Sequence, residues 1–175
     1  LVALGPAQYQ IVYGLHEQPD GKLLGGGIRY NGADYSFTVV RLHTTGALDT
    51  GFGSGGFGLM EMGSHDYCFG IATDSQGRIV CTGEVYNGAG YDFLAARFTN
   101  MGTADTTFSA PNGWVSNIAG GGANAFGWAS LVQPDGKILV AGSAPGVGQD
   151  FAFMRYGDSG TLDATFGNAG KVLLD

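Results

Sequence analysis

The segment Gln133-Pro134-Asp135-Gly136-Lys137-Ile138-Leu139 occurs in this chain in three versions. The other two are Gln18-Pro19-Asp20-Gly21-Lys22-Leu23-Leu24 and Asp74-Ser75-Gln76-Gly77-Arg78-Ile79-Val80, and the three glycines stand 56 and 59 residues apart. Proline presets φ and glycine readily adopts a positive φ, which is the chemistry of a tight chain reversal. Similarity at such a period is typical of tandem repeats.

Two further sequence blocks recur three times, with the same spacing as the glycine turn. One contains an aromatic residue and an arginine, at residues 37–42, 93–98 and 151–156. The other contains an aspartate and ends in phenylalanine, at residues 46–52, 102–108 and 160–166. The blocks divide the chain into one array of three repeats, at about 9–60, 61–117 and 118–175.

Each repeat is predicted to form four short strands and no helix. The first strand ends at Glu17, Thr73 or Val132, and the second is a continuous apolar run, which indicates burial on both faces. The third is the arginine block, and the fourth lies near residues 57–60, 114–116 and 171–174. We predict an all-β fold, a β-propeller-like array of three four-stranded antiparallel blades. A β-solenoid is the alternative, although its coils are usually shorter than about 30 residues.

The third repeat carries the most complete pattern. It reads Gln-Pro-Asp-Gly-Lys-Ile-Leu-Val-Ala-Gly at 133–142, Asp-Phe-Ala-x-x-Arg-Tyr at 150–156 and Gly-x-Leu-Asp-x-x-Phe-Gly at 160–167. This pattern resembles the bacterial delta-60 repeat, a propeller-type repeat family of unknown function. The resemblance covers about residues 9–174 and departs at Ser75-Gln76 and at Ser36. It implies a propeller fold and brings no catalytic residues.

Three blades are incomplete as a single closed ring, because β-propellers typically have 4–8 blades and open strand edges must be covered. Three arrangements stay open: a longer repeat chain, two copies in a six-bladed ring, or copies in a head-to-tail filament. The apolar start Leu1-Val2-Ala3-Leu4 resembles the ending Lys171-Val172-Leu173-Leu174. We interpret it either as a strand that pairs across such a junction or as an ordinary first strand.

Composition and charge exclude several classes of function. Only 13% of the residues are charged, and the formal net charge is −7, the wrong sign for holding a nucleic-acid backbone. No stretch reaches the roughly 20 apolar residues that a membrane span requires. Few lysines and many Gly, Thr, Asn and Tyr residues favour an extracellular or cell-surface protein, and the resemblance implies a bacterial one.

A residue that recurs in every repeat is expected to build the blade, since chemistry needs only one site. Arg41, Arg97 and Arg155 each precede an aspartate by eight residues. We predict an ion pair that holds the turn after the third strand, with repeated ligand sites as the alternative. The residues predicted to be structural are Asp20, Gly21, Arg41, Asp49, Phe52, Gly77, Arg97, Asp105, Phe108, Asp135, Gly136, Arg155, Asp163 and Phe166.

No cofactor and no catalytic site are predicted. Of the 15 acidic residues 12 are Asp, which suits calcium, but no segment has the spacing of a calcium loop, so an irregular calcium site is only the alternative. His16, His43 and His65 lack the spacing of metal ligands. A glycan-acting enzyme remains a further hypothesis, in which His16, Glu17, His65 and Asp66 meet at the propeller axis.

Two cysteines lie in the second repeat. Pairing Asp74 with Arg78 across the turn puts Ile71 opposite Cys81, and in a regular hairpin Cys68 then points to the other face. We therefore expect two buried cysteines without a disulfide. The run Gly25-Gly26-Gly27 is not expected to bind phosphate, because no helix follows it.

One recurring loop is a candidate binding site. Tyr30-Asn31-Gly32-Ala33-Asp34-Tyr35 returns as Tyr86-Asn87-Gly88-Ala89-Gly90-Tyr91, whereas the third repeat lacks the pattern. Asn-Gly favours a hairpin turn, and the tyrosines either cap a sheet edge or form a contact patch for a glycan, peptide or subunit. The candidate ligand-binding residues are Tyr30, Asn31, Tyr35, Tyr86, Asn87 and Tyr91.

These features predict a non-catalytic structural or interaction module. The repetition and the open ring indicate assembly with further copies or further repeats, either as a homo-oligomer, as a filament or within a longer chain. The alternative is a propeller module that binds a carbohydrate or another ligand through the tyrosine loops.

Overall fold

The computed structural model describes residues 9–118, 124–146 and 148–174. Residues 1–4, and with them the hypothesis of a strand across a junction, lie outside the described residues. The regular structure of the described residues consists of β-strands. None of these residues belongs to a helix long and apolar enough to cross a membrane.

The strands form three antiparallel sheets of four, one for each repeat, which we call blades 1, 2 and 3. Blade 1 contains β1 (Gln10–Glu17), β2 (Leu23–Tyr30), β3 (Tyr35–Leu42) and β4 (Phe57–Met60). Blade 2 contains β5 (Ser64–Thr73), β6 (Ile79–Tyr86), β7 (Tyr91–Phe98) and β8 (Trp114–Asn117). Blade 3 contains β9 (Phe126–Val132), β10 (Ile138–Pro145), β11 (Gln149–Tyr156) and β12 (Lys171–Leu174).

The predicted fold class is confirmed. The chain is all-β, and within each blade the strands lie side by side in sequence order, as in a propeller-like array. The first strands end at Glu17, Thr73 and Val132, as predicted, because the glycine turn follows each of them. The second strands β2, β6 and β10 pair with the third strands along their whole length.

The hydrophobic core lies between the blades. Blade 1 presents Leu24, Phe37 and Val39 to blade 2, and all three side chains are buried there. Blade 2 presents the corresponding residues Val80, Phe93 and Ala95 to blade 3, where they are buried in turn. A single sheet has no core of its own, so each blade is stabilised by its neighbours.

Each first strand has a β-bulge at its aromatic residue. The register shifts by one residue at Tyr13, Phe69 and Trp128. Opposite each bulge the second strand has a glycine (Gly27, Gly83 and Gly142), whose β-carbon would collide with a backbone oxygen of the first strand. Glycine is required there because only a residue without a side chain permits so close an approach.

The bulges bring the three aromatic rings into one row. Bulges re-aim side chains, and here they place equivalent rings of successive blades in contact. The ring centroids of Tyr13 and Phe69 are 4.9 Å apart, and those of Phe69 and Trp128 are 5.0 Å apart. The first strands of the three blades therefore lie next to one another, as the inner strands of a propeller do.

The two cysteines form a disulfide, so the expectation of two separate thiols was wrong. Ile71 does lie opposite Cys81. The bulge at Phe69, however, inserts one residue into β5, so that Cys68 opposes Gly83 and shares a face with Cys81. The Cα atoms of the two cysteines are 5.9 Å apart, a normal separation for a disulfide.

Candidate functional site

The recurring arginine, aspartate and phenylalanine form the same cluster in every blade. In blade 2, Arg97 Nε donates a hydrogen bond of 2.7 Å to Asp105, and its guanidinium lies 4.9 Å from the Phe108 ring centroid. The Asp105 carboxylate also accepts hydrogen bonds from the backbone and hydroxyl of Thr107. Arg41 with Asp49 and Arg155 with Asp163 form the same ion pair at 2.9 Å. The predicted Arg–Asp pair is thus present in all three blades.

The arginines also tie each blade to the next one, which the sequence did not reveal. Arg41 Nη1 donates to the backbone carbonyl of Asn100 at 2.7 Å, and Arg97 Nη1 donates to that of Asp158 at 2.8 Å. Both acceptors lie in the turn after the third strand of the following blade. The same guanidinium therefore holds its own turn with Nε and the neighbouring turn with Nη1.

Asp158 strengthens the connection between blades 2 and 3. Its carboxylate pairs with Arg78 at 2.5 Å and with Arg97 at 2.7 Å. Partial burial would raise the pKa of Asp158, but the two guanidinium groups outweigh it and hold this pKa below its ordinary value. The pKa of Asp105 is lowered in the same way, against its own desolvation, by Thr107 and Arg97.

The outer face of blade 3 lacks the cover that the equivalent faces have. Phe37 and Phe93 are fully buried, whereas Phe151, at the same position of blade 3, is 71% exposed. Phe52 and Phe108 are likewise fully buried, whereas Phe166 is only partly so. An apolar ring that is buried in two repeats and exposed in the third makes the outer face of blade 3 an exposed apolar surface.

The outer face of blade 1 is open as well. The residues that line its groove include Val12, Gly25, Thr38 and Val40. Leu23 lies on this face and is 39% exposed, whereas the equivalent Ile79 and Ile138 are 0% and 1% exposed inside the two blade interfaces.

The turns between the first and second strands are built as their composition suggests. Gly21, Gly77 and Gly136 all have positive φ, and Asp20 and Asp135 accept a hydrogen bond from the backbone two residues later. In blade 2 Asp74, earlier in the turn, accepts from the backbones of Gln76 and Arg78.

The tyrosine loops are ordered by their own asparagines. Asn31 Oδ1 accepts from the backbones of Ala33 and Asp34, and Asn87 Oδ1 accepts equivalently in blade 2. The Asn87 amide in turn donates to Asp92. These asparagine side chains therefore shape the loop, and a role for them in ligand binding stays a prediction.

The tyrosines continue the inner row of rings. Tyr35 contacts Tyr67 with centroids 6.0 Å apart, and Tyr67 contacts Phe69 at 5.8 Å. Tyr30 packs on Tyr35, and in blade 2 Tyr86 packs on Tyr91. We call the connected set the aromatic band. Its members are Tyr9, Tyr13, Tyr30, Tyr35, Tyr67, Phe69, Tyr86, Tyr91, Phe126 and Trp128.

The family profile described as domain of unknown function (DUF5122) beta-propeller matches the chain three times, at residues 18–52, 75–108 and 133–166. The matches cover more than half of the chain. The chain belongs to this β-propeller family. Each match runs from the glycine turn to the phenylalanine that packs on the repeated arginine, which are the parts that recur in all three blades. A search of curated proteins found no match.

Within this propeller array one buried acid departs from the repeat. Glu84 occupies the position of Ile28 in blade 1, and both lie opposite the buried phenylalanine of the third strand. Its Oε2 is buried without a hydrogen-bond partner in the described part of the chain. Burial raises the pKa of Glu84 to about 7. The hydroxyls of Thr82 and Ser130 are also buried and unpaired there.

The propeller does not assemble the four residues of the enzyme hypothesis. His16 Nε2 lies 2.8 Å from the Thr73 hydroxyl, at the end of β5, whereas His65 and Asp66 lie at its start. Eight residues of extended strand span roughly 25 Å. Groups so far apart cannot act on one reacting centre, so this hypothesis was wrong.

His65 and Asp66 nevertheless form an unusual local structure. His65 has a φ of 63°, and its Nδ1 is buried without a partner among the described residues. Asp66 accepts a hydrogen bond from the Met62 backbone at 2.8 Å, and burial raises the pKa of Asp66 to about 6. Among the residues that the structure describes, no group of three or more His, Cys, Asp or Glu side chains is placed to hold a metal ion.

Proposed function

We propose that this chain is a non-catalytic structural or interaction module whose two open sheet faces bind further blades of the same repeat. The observation that carries the proposal is the exposure of Phe151, since Phe37 and Phe93 are completely covered by a following blade. A further blade that followed blade 3 would bury this face in the same way. We further propose that the repeat is the bacterial delta-60 repeat.

We propose that the protein lies outside the cell or at its surface. The Cys68–Cys81 disulfide supports this proposal, because disulfides persist mainly in oxidising compartments. The composition, with few lysines, points the same way.

The proposal is tested by supplying the missing neighbour. A second copy of residues 9–60 is appended after Asp175, so that it can follow blade 3 as a fourth blade. We expect a higher midpoint of thermal unfolding and protection of the Phe151 ring from hydroxyl-radical labelling. The matched control carries Leu23→Asp in the appended copy, on the face that would meet blade 3. An extension that changes neither measurement, or that acts equally with the control, contradicts the proposal.

A second candidate function is carbohydrate binding, and the aromatic band favours it. Tyr13 and Trp128 are about half exposed within the row of stacked rings. Flat, partly exposed aromatic faces offer contact area at low entropy cost. A glycan array with the wild type, Trp128→Ala and Tyr86→Ala tests it. Binding that survives both substitutions, or no binding by the wild type, rejects this candidate.

A further inference from the structure

We infer that a second copy of this chain occupies both open faces, docked head to tail, so that blade 3 of each copy covers blade 1 of the other. The inference rests on the proposed function and names the partner of the two faces. Its basis is that the chain makes one blade-to-blade interface twice and carries both unpaired halves of a third.

The two interfaces inside the chain share four contacts. A phenylalanine of the third strand, Phe37 or Phe93, is buried on the next blade. An arginine Nη1 donates to a turn carbonyl of that blade, at Asn100 or Asp158. A backbone amide, of Gly53 or Ser109, donates to the next carbonyl along that turn, of Met101 at 2.7 Å or Ser159 at 2.8 Å. The ring of Phe52 or Phe108 covers the turn glycine, Gly102 or Gly160.

Blade 3 presents the donor half of this interface. Phe151 holds the position of the buried phenylalanine and is 71% exposed. Arg155 uses Nε for Asp163 and Nη2 for Thr165, as Arg97 does with its own partners, but its Nη1 has no acceptor among the described residues. The Gly167 amide corresponds to those of Gly53 and Ser109, and it likewise lacks an acceptor in the described ranges.

Blade 1 presents the acceptor half. The turn after β3 contains Thr44, Thr45 and Gly46, which correspond to Asn100, Met101 and Gly102 of blade 2. Neither threonine carbonyl accepts a hydrogen bond from any residue that the structure describes. Among the described residues a β-carbon on Gly46 would meet nothing within 4 Å, whereas on Gly102 it would lie 2.7 Å from the Phe52 ring. The space that a phenylalanine ring fills in the internal interfaces is open here.

The halves fit one another contact by contact. Arg155 Nη1 would donate to the Thr44 carbonyl of the second copy, and the Gly167 amide to its Thr45 carbonyl. The Phe166 ring would cover Gly46 of the second copy. Phe37 stacks on Phe98 with centroids 6.4 Å apart, and Leu42 is the blade 1 residue at the position of Phe98, so Phe151 would pack on Leu42.

Head-to-tail docking can close. Two copies supply six blades, which lies within the 4–8 that propellers contain, and the same heterologous interface is then used twice. A ring of this kind would cover Phe151 of each copy and the turn after β3 that faces it. It also brings the bulged aromatic rings of the second copy around the same axis as Tyr13 and Trp128.

The test uses two charge substitutions at exposed positions, so that the fold of each chain survives. Phe151→Asp disables the donor half and Leu23→Asp the acceptor half, while Ala89→Asp, at an exposed alanine in the tyrosine loop of blade 2, is the control. Mass is measured by sedimentation velocity at several concentrations. We expect the mass of two chains for the wild type and the control, and of one chain for either variant alone. An equimolar mixture of the two variants should regain the mass of two chains, because one intact donor half then meets one intact acceptor half.

Other outcomes overturn the inference. If Leu23→Asp alone stays dimeric, the copies join through like faces; if the wild-type mass grows with concentration beyond two chains, the contact forms an open filament. A wild type that stays monomeric at about 0.1 mM also overturns it. Each of these results leaves the proposed function standing provided that an appended fourth blade stabilises the chain, and only failure of that experiment removes both.

Discussion

Gly26 lies directly against the disulfide of the neighbouring blade: a β-carbon on Gly26 would be 2.5 Å from Cys68 Sγ and 3.2 Å from Cys81 Sγ. The middle glycine of the Gly25-Gly26-Gly27 run is therefore explained by packing between blades 1 and 2. Its two neighbours have other reasons, since Gly25 faces Val12 and Val40 and Gly27 opposes the bulge.

Gly26→Ala should destabilise the protein by about 1–3 kcal/mol, the usual cost of overpacking a tight core. In the Cys68→Ala/Cys81→Ala background the sulfurs are gone, and the same substitution should cost much less. Urea unfolding of the four proteins gives the coupling. Gly148→Ala is the matched control, because no described residue apart from its chain neighbours lies within 4 Å of its added β-carbon. Equal costs in both backgrounds would disprove the contact.

Loss of the disulfide should lower stability by about 3 kcal/mol, since the bridge closes a loop of 13 residues in sequence separation. Cys68→Ala/Cys81→Ala is compared with the wild type by urea unfolding, with and without reductant. Reductant should destabilise the wild type and leave the variant unchanged. A wild type that is indifferent to full reduction, checked by thiol titration under denaturing conditions, would show that the bridge contributes nothing.

The arginine clusters should differ in strength between the blades. Arg97 is 1% exposed and also binds Asp158, so Asp105→Asn should cost about 3 kcal/mol, as breaking a buried pair does. With both substitutions made in the monomeric Phe151→Asp chain, Asp163→Asn should lower stability by less, because there the Arg155 pair lies on the open face and water screens it. The midpoints of thermal unfolding of the two variants give the order. The reverse order, or no change for Asp105→Asn, contradicts the packing described.

Glu84 should make the protein less stable as the pH rises. Burial raises the folded-state pKa of Glu84 to about 7 from its ordinary value of 4.5, so the folded state holds the proton more tightly. The contribution of Glu84 to the free energy of unfolding is complete below about pH 4.5 and is lost as the pH rises through 7. The free energy of unfolding of Glu84→Gln should equal that of the wild type near pH 4.5 and should be larger by up to about 3 kcal/mol at pH 8.

Urea unfolding at each pH gives the difference between the free energies of unfolding of the wild type and Glu84→Gln. Carboxylates with lowered pKa values, such as Asp105 and Asp158, act in the opposite direction in both proteins and cancel. Glu84→Ile, which restores the residue of blade 1, should behave like Glu84→Gln at pH 8. A pH-independent difference would show that the pKa of Glu84 is the same in the folded and unfolded states.

The period of the turn, arginine and phenylalanine blocks was enough to predict three sheets and the ends of their first strands. The cysteine prediction failed because a regular hairpin register was assumed up to Cys68. The signal that corrects it was present: an aromatic at Tyr13, Phe69 and Trp128 opposite a recurring glycine in the second strand, and a strand glycine often marks a bulge.

Contacts between repeats could not be predicted from the sequence, for a different reason. Arg97 and Asp105 stand eight residues apart in one block, so their pairing could be inferred from spacing. The acceptor of Arg97 Nη1 is a backbone carbonyl 61 residues away, and a carbonyl has no signature in the sequence. Glu84 could have been found, because comparing the repeats position by position shows an acid where blade 1 has Ile28.

The hydrogen bonds that Arg41 and Arg97 donate to the next blade couple each blade to its nearest neighbours. Blade 2 cannot open without breaking the contacts of Arg41 on one side and of Arg97 on the other, whereas each outer blade is held inside the chain by one set. In such arrays opening begins at the ends. The amide hydrogens of β6 and β7 should therefore exchange with solvent last, and any partner that covers the outer blades would slow exchange most in blades 1 and 3.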